Sequence, residues 1–365
     1  GGHCTRVPAL TRMLAQAACD SDAAPFGEFS LDEKQWEAVD IASWLHDCGK
    51  VTTPEYVVDK ATKLETIHDR IHEIRTRFEV LKRDAQIRYH EQLAAGVDQQ
   101  ALKKELEQTL QQLDDDFAFV AECNQGGEFM APEKHERLQQ IAMTTWMRTL
   151  DDRLGVSWEE LQRMQRADAR PLPAEERLLD NKQEHLIERA PVDCMPEDNP
   201  WDFRMDVPKY KYNRGELYNL GVSRGTLTDE VRYKINDHIM QTIMMLEKLT
   251  YPRHLRDVPL IAGCHHETMD GKGYPKRLCR DDMPLTARMM AIADIFEALT
   301  ASDRPYKKAK TLSEAIRIMG FMKKDRHIDP ALFELFLTSG VYLDYGRQFL
   351  EPEQLDEVDI AEYLD

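Results

Sequence analysis

The stretch HHETMDGKGYP, residues 265–275, places two adjacent histidines and a glutamate ahead of an aspartate and a Gly-Lys-Gly-Tyr-Pro turn. Imidazole nitrogens are common metal ligands, and a glycine- and proline-containing turn beside them suits the rim of a site. Taken alone, the stretch is equally typical of a polar surface loop. A metal site requires further ligands from other parts of the chain.

A second stretch with the same chemistry is WLHDCGK, residues 44–50. His46 and Asp47 are both able to bind a metal ion, and an aspartate is able to bridge two ions. The glycine turn at Gly49 and the cation of Lys50 beside such a site suit a phosphate substrate. An isolated His-Asp pair is more often structural, so a metal site here requires further ligands.

Three more polar residues lie at positions that predict burial or proximity to the same site. His238 lies on an apolar helical stripe with Ile235, and Asp294 lies in ARMMAIADIFEALTA close to Ala298. A carboxylate buried without a partner is costly, so Asp294 requires a cap, an ion pair or a metal. A hydrogen-bonded core residue is the structural alternative for His238. His3 opens the first predicted helix.

Composition limits the classes of function. The chain has 365 residues and a formal net charge of −18, which argues against a nucleic-acid polymer as partner. No apolar run approaches the roughly 20 residues that span a bilayer. The seven cysteines are scattered, which favours a reducing compartment and predicts a cytoplasmic location. Because a helical pattern begins at once, we expect a fragment of a longer protein, such as the cytoplasmic output domain of a membrane receptor.

Hydrophobic periodicity predicts an all-α fold. Two amphipathic stripes, Leu64 to Ala85 and Leu102 to Val120, predict a long antiparallel helical hairpin. The region 170–215 is rich in Pro, Gly and Asn and is predicted to be irregular. The predicted domains are a discontinuous helical core at 1–60 and 223–325, a mainly helical insertion at 61–222, and a C-terminal helix with an acidic tail at 326–365. The insertion is either a packed appendage, including a coiled-coil dimer arm, or a lid near the metal site.

The order of these motifs resembles the HD-GYP family, a branch of the HD metallohydrolases. The resemblance rests on His46-Asp47, on His238, on HHExxDGxGYP at 265–275 and on ADIFEALTASDRPYK at 293–307. It implies an all-helical HD-domain bundle with two or three divalent metal ions, usually iron or manganese, with zinc as an alternative. It also implies hydrolysis of cyclic di-GMP to pGpG, to GMP, or to both, through a hydroxide that bridges the metals.

Carried over residue by residue, the resemblance assigns metal ligands and phosphate contacts. Asp47 is the implied bridge between metals, and Lys50 is the implied catalytic and substrate-binding lysine. The implied metal ligands are His3, His46, Asp47, His238, His265, His266 and Asp294. The implied substrate contacts are Lys50, Gly273, Tyr274, Arg304, Tyr306 and Lys307.

Two departures from the family pattern affect this assignment. About 190 residues separate Asp47 from His238, and His72 lies in a segment that also resembles the usual connector. Spacing favours His238, which lies eleven residues after Leu227 and eight before Leu246, as the family pattern requires. In some members a glutamate four residues before the first histidine helps to bind a third metal. That position precedes residue 1, so two and three metals stay open.

Other substrates and partners are compatible with the same motifs. One alternative is hydrolysis of another cyclic dinucleotide, such as cyclic GMP-AMP, or of a nucleoside phosphate. Another is a signalling scaffold that binds a nucleotide without turning it over, although no expected ligand is missing. The expected partners are a small cyclic dinucleotide, an upstream sensor domain, a second copy of the chain and a GGDEF-domain protein.

Overall fold

The structure is a computed structural model that describes residues 2–127, 129–302 and 309–364, and it confirms the predicted all-α class. None of the described helices has both the length and the apolar composition needed to cross a bilayer. The helices are α1 (His3–Cys19), α2 (Glu33–Leu45), α3 (Glu55–Val58), α4 (Ile71–Ala94), α5 (Gln99–Gln125), α6 (Pro132–Ala142), α7 (Trp158–Met164), α8 (Glu216–Leu220), α9 (Asp229–Glu247), α10 (Val258–Gly263), α11 (Leu285–Thr300), α12 (Leu312–Lys324), α13 (Pro330–Thr338) and α14 (Val341–Phe349). The short strands are β1 (Thr145–Arg148), β2 (Ala174–Arg177), β3 (Leu186–Glu188) and β4 (Tyr210–Asn213).

The chain forms two compact units. The first comprises Gly1–Thr53, Pro196–Val207 and Ile235–Asp365, and the second comprises Pro54–Met195 and Pro208–Lys234. These bounds differ from the predicted ones, because the segment predicted as a separate C-terminal region, 326–365, lies in the first unit. A short piece of the predicted insertion, residues 196–207, also lies there.

The first unit is a helical bundle around α1 and α11, which pack along each other. Val7, Leu10 and Leu14 of α1 are fully buried, as the periodicity predicts. The C-terminal helices α13 and α14 belong to the same core because they bury large side chains in it, including Phe336 and Tyr345. Removing such side chains from water supplies most of the stabilisation of a bundle of this kind.

The second unit contains the predicted antiparallel hairpin, formed by α4 and α5. Lys82 pairs with Asp114 across the hairpin, and the guanidinium of Arg75 lies over the ring of Phe117. The predicted apolar stripe is too long at its start, because α4 begins at Ile71 and the earlier Ile67 is 87% exposed. The core of this unit is formed by residues including Ile74, Phe78, Leu81, Val120, Leu138 and Leu179.

Two antiparallel strand pairs lie in the second unit, partly within the region predicted to be irregular. Thr145 in β1 pairs with Arg177 in β2, and Leu186 in β3 pairs with Asn213 in β4. Each strand has three or four residues, and its partner lies more than twenty residues away in sequence. Period-two alternation is not visible over so short a run, so the sequence pattern does not reveal these strands.

A buried ion pair ties α4 to α8 in the second unit. Arg77 donates from Nη1 and Nη2 to the two carboxylate oxygens of Glu216, both at 2.9 Å. The backbone N–H of Asp180 also donates to Glu216, at 3.1 Å, and Arg77 donates to the carbonyl of Leu178. Since both carboxylate oxygens have donors, this buried charge is fully compensated by the surrounding protein.

Candidate metal centre

The predicted ligands come from separate elements that all belong to the first unit. His46 and Asp47 follow α2 and precede a 3-10 turn at Cys48–Thr52, and His238 lies within α9. The structure brings these residues together with the remaining predicted ligands. The close groups are His3 with His46 and Asp294, His46 with Asp47 and His265, and His238 with His265 and His266; within each group the ligand atoms lie within 4.8 Å of one another.

The backbone fixes which nitrogen three of the histidines present to the cluster. Nδ1 of His46, His238 and His265 lies 2.6, 2.6 and 2.8 Å from the carbonyl oxygen three residues earlier. A carbonyl only accepts, so Nδ1 carries the proton and Nε2 keeps its lone pair. Nε2 of His46 and of His265 is buried and makes no hydrogen bond to any described residue. Buried lone pairs that converge without donors are the arrangement a cation would satisfy.

The two oxygens of Asp47 face different histidines. Oδ2 lies 2.9 Å from Nε2 of His3 and 3.5 Å from Nε2 of His46, whereas Oδ1 lies 3.2 Å from Nε2 of His238 and 4.0 Å from that of His265. The carboxylate therefore separates a group that contains His3 from a group that contains His238. A carboxylate in this position is able to bridge two metal ions.

The opposite wall of the cluster is formed by α11 and the start of α1. Oδ1 of Asp294 lies 3.3 Å from Nε2 of His3. One helical turn later, the fully buried Glu297 forms a short contact with Nδ1 of His3 and accepts a 2.8 Å hydrogen bond from Arg6. Glu297 therefore orients the His3 ring from behind, as a carboxylate commonly does for a metal-bound histidine.

Burial keeps two of the histidines neutral. It lowers the pKa of His265 to about 4, with a further contribution from His46, and it lowers the pKa of His266 well below its usual value, with a contribution from His265. A neutral imidazole retains the lone pair that binds a metal. These two side chains are therefore available as ligands at neutral pH without the loss of a proton.

On the other side of the cluster, neighbouring charges shift the pKa values of His3 and Asp294 in the direction opposite to burial. Burial alone would lower the pKa of His3, but Asp47 and Glu297 raise it to about 9. Burial would raise the pKa of Asp294, but His46 and the neighbouring histidines hold it below its usual value. The carboxylates thus concentrate negative charge at the histidine nitrogens, where a divalent cation would be stabilised.

Lys50 lies at the edge of the cluster, and Gly49 holds the turn that presents it. The Lys50 ammonium contacts Oδ2 of Asp47, and its side chain is 40% exposed, so it is accessible to a ligand. The Gly49 backbone N–H donates to the Thr242 hydroxyl at 2.9 Å. A Cβ on Gly49 would lie 2.0 Å from the carbonyl oxygen of His238, so this approach requires glycine.

The Gly-Tyr-Pro turn packs directly on a predicted ligand. The Tyr274 ring stacks on His266, with centroids 4.8 Å apart and an interplanar angle of 21°. The buried Glu267 carboxylate accepts from the backbone N–H of Lys276 at 2.7 Å and holds the turn closed. A Cβ on Gly273 would lie 2.4 Å from the Cα of Glu267. The turn therefore lies beside the cluster, with its position fixed by backbone contacts.

Three predicted substrate contacts fall outside the described residues, and one residue of the cluster was not predicted. Arg304, Tyr306 and Lys307 lie outside the described residues. His72, the alternative to His238, is exposed on α4 in the second unit. Glu297 was not predicted, although it lies three residues after Asp294 on the same apolar helix and the same burial argument applied to it.

The chain is similar to several known proteins over part of its length. Residues 173–332 match the model of a family described as HD domain. A cyclic di-GMP phosphodiesterase of Pseudomonas aeruginosa is 46% identical over 79 residues, which are 21% of this chain and 18% of that protein. A 3′3′-cGAMP-specific phosphodiesterase of Vibrio cholerae is 51% identical over 77 residues, 21% of this chain and 14% of that protein.

A cyclic di-GMP phosphodiesterase response regulator of Xanthomonas campestris is 40% identical over 85 residues, covering 23% of this chain and 22% of that protein. The chain thus spans about a fifth of the length of these curated relatives. Its HD domain implies that it binds divalent metal ions. The HD-domain match, the similarity to these phosphodiesterases and the order of the motifs support a relation of this chain to the HD-GYP branch of the HD superfamily.

Proposed function

We propose that this chain is a metal-dependent phosphodiesterase that hydrolyses cyclic di-GMP to pGpG, to GMP, or to both. The observation that carries the proposal is the position of Asp47. Its two oxygens face two separate groups of histidines, and Nε2 of His46 and of His265 is left without a hydrogen-bond partner among the described residues.

We infer two metal positions from the donor set. His3, His46 and Asp294 would hold one ion, and His238, His265 and His266 the other, with Asp47 between them. Imidazole and carboxylate donors suit iron, manganese or zinc. Two thiols near the ligands do not compete, because burial raises the pKa of Cys264 to about 12 and also raises the pKa of Cys48. Iron is the metal we expect, and a third ion stays a prediction.

The chemistry follows from what the residues around the ions are able to do. Divalent ions, when bound, activate water as a nucleophile and offset charge on the phosphate oxygens. Asp47 and Asp294 hold the negative charge that keeps such ions in place. The Lys50 ammonium, partly exposed beside Asp47, would stabilise the oxygen that leaves phosphorus. Tyr274 and Gly273 lie on the rim, where the substrate would enter.

Two other functions compete with this one. Hydrolysis of 3′3′-cyclic GMP-AMP is favoured by the match to relatives named as specific for that dinucleotide. A non-catalytic scaffold is disfavoured by the complete ligand set. Cytoplasmic location, an upstream sensor, a homodimer and a GGDEF-domain partner stay predictions.

A turnover assay decides between these functions. Protein prepared without oxygen and loaded with Fe(II) or Mn(II) is given cyclic di-GMP and 3′3′-cyclic GMP-AMP in parallel, and the products are separated by chromatography. We expect pGpG from the first substrate and loss of turnover in His46→Ala/Asp47→Ala. His254→Ala is the matched control, because His254 pairs with Glu37 on the surface of the same unit. Equal turnover by the double variant would exclude the metal mechanism.

A further inference from the structure

Residues 196–207, here called the strap, are the piece of the predicted insertion that folds with the first unit. The backbone N–H of Arg204 donates to the carbonyl of Pro275 at 2.7 Å. Arg277 pairs with Asp206 at 2.8 Å. The ammonium of Lys276 lies 6.0 Å from the centre of the Phe203 ring. The strap therefore packs on the Gly-Tyr-Pro turn.

The strap has a defined internal structure. The Asn199 side chain donates to the carbonyl of Phe203 at 2.7 Å and accepts from its N–H at 3.2 Å. Asn199 and Asp202 have positive φ angles of 32° and 54°, which are uncommon for residues other than glycine and which asparagine and aspartate adopt more readily than most. Backbone of this kind persists where the surrounding contacts hold it, often at a functional site.

The strap presents an aromatic platform. The Trp201 ring stacks on that of Phe203, with centroids 5.7 Å apart and an interplanar angle of 13°. Phe203 is buried, with 5% of its surface exposed, whereas Trp201 stays partly exposed. A buried ring thus holds an accessible indole in a fixed orientation. Such an indole is a good surface for stacking a nucleobase, because stacking needs only a flat π face.

A continuous set of contacts joins this platform to the cluster. Tyr274 stacks on His266, and the backbone N–H of Tyr274 donates to the carbonyl of His266 at 3.2 Å. The next residue, Pro275, accepts from Arg204, three positions after Trp201. A cyclic dinucleotide carries two bases beyond its phosphates. One base would therefore lie on the rim when a phosphodiester lies at the cluster.

We propose that Trp201 forms a stacking subsite for one purine base of the cyclic dinucleotide. The proposal rests on the function proposed above and deepens it, because it assigns part of the substrate affinity to the insertion. Stacking is tolerant of base identity, so Trp201 supports binding of guanine and adenine alike. It acts on the base and makes no contribution to the chemical step.

The test compares Trp201→Ala with Trp201→Phe in the metal-loaded chain, and uses Trp158→Ala in the second unit, an exposed tryptophan, as the matched control. With cyclic di-GMP, Trp201→Ala should raise KM by about tenfold and change kcat by less than about threefold. Trp201→Phe should recover most of the loss. Bis(p-nitrophenyl) phosphate, which has no nucleobase, should be hydrolysed at the same rate by all variants.

The outcomes distinguish the Trp201 stacking subsite from the proposed phosphodiesterase function on which it rests. An unchanged KM in Trp201→Ala overturns the stacking subsite while leaving the phosphodiesterase intact. Equal losses on cyclic di-GMP and on bis(p-nitrophenyl) phosphate also overturn it, because they indicate that Trp201 only supports the fold. No turnover of either cyclic dinucleotide by the unsubstituted chain overturns the proposed function itself.

Discussion

The histidine–aspartate cluster of the first unit and the Arg77–Glu216 pair of the second both bury charge, but they compensate it differently. Glu216 receives a protein donor on each carboxylate oxygen. In the cluster, Nε2 of His46 and of His265 has no hydrogen-bond partner among the described residues. The first arrangement is complete within the chain. The second leaves buried nitrogen lone pairs without a donor, as we expect of a metal site.

The largest expected effect comes from Asp47→Asn. An amide cannot supply the negative charge that two ions share, so we expect turnover of cyclic di-GMP to fall by about 1000-fold, equivalent to about 4 kcal/mol. Metal content, measured by elemental analysis, should fall with it. Asp40→Asn is the control, because Asp40 forms an exposed pair with Arg12 in the same unit. Retention of both metal and turnover would contradict the bridging role.

Arg77→Met tests the complete pair. Loss of the guanidinium leaves the Glu216 carboxylate buried without its main partner, so the free energy of unfolding of the second unit should fall by about 3–5 kcal/mol. Hydrogen exchange with mass spectrometry would resolve this unit from the first. Metal content of the folded protein should not change, since the predicted ligands all lie in the first unit.

Two further variants sharpen that result. Arg83→Met breaks an exposed pair with Glu79 on the same helix and should cost less than about 1 kcal/mol. Arg77→Met/Glu216→Leu removes both charges and should recover part of the stability lost in Arg77→Met. A double variant as unstable as the single one would show that the pair contributes more than compensation of buried charge.

Metal addition should stabilise the two units unequally. At a free metal concentration of 100 times Kd, binding stabilises the folded state by about 2.7 kcal/mol. We expect slower hydrogen exchange in α2, α9 and α11, which present ligands, and no change in the hairpin of α4 and α5. Equal protection of the hairpin would contradict a metal site confined to the first unit. Addition of a chelator should reverse the effect.

The smallest effect concerns pH and the second unit. Burial lowers the pKa of His185 from 6.5 to about 4. The unfolded chain therefore takes up a proton near pH 6.5, whereas the folded unit does so only near pH 4. Stability should therefore fall as pH drops between these values. Denaturant titrations should show a flatter pH dependence in His185→Gln than in His68→Gln, an exposed control.

The buried Arg77–Glu216 pair makes the stability of the second unit depend on pH at lower pH as well. Burial would raise the pKa of Glu216, but Arg77 lowers it below its usual value. A carboxyl with a lowered pKa stabilises the folded state above its unfolded pKa, and this contribution is lost as pH falls through the folded value. The second unit should therefore lose further stability in acid, and Arg77→Met should lose less of it.

The sequence predicted the histidine–aspartate cluster better than the strand pairs, the strap and the helix cap around it. His46, Asp47, His265 and His266 are short motifs with strong chemical constraints, and the spacing from Leu227 distinguished His238 from His72. The strand pairs and the strap depend on partners far away in the chain, and periodicity carries no record of such partners. The N-terminus of α2 is another such case, because α2 is capped by Asp32 with Gln35, although Ser30 and Glu33 have the same spacing in the sequence. Competing caps two residues apart have nearly equal propensity.

Residue 49 has to be glycine, although it is not itself a predicted ligand. Its Cα faces the backbone of α9 so closely that even a methyl group would displace the turn of helix that carries His238. The turn at Gly49 and helix α9, almost two hundred positions apart in the sequence, are therefore in direct contact, with room for only a hydrogen atom on the Gly49 Cα. Chain length between them is unconstrained by this contact, whereas side-chain size at residue 49 is fixed.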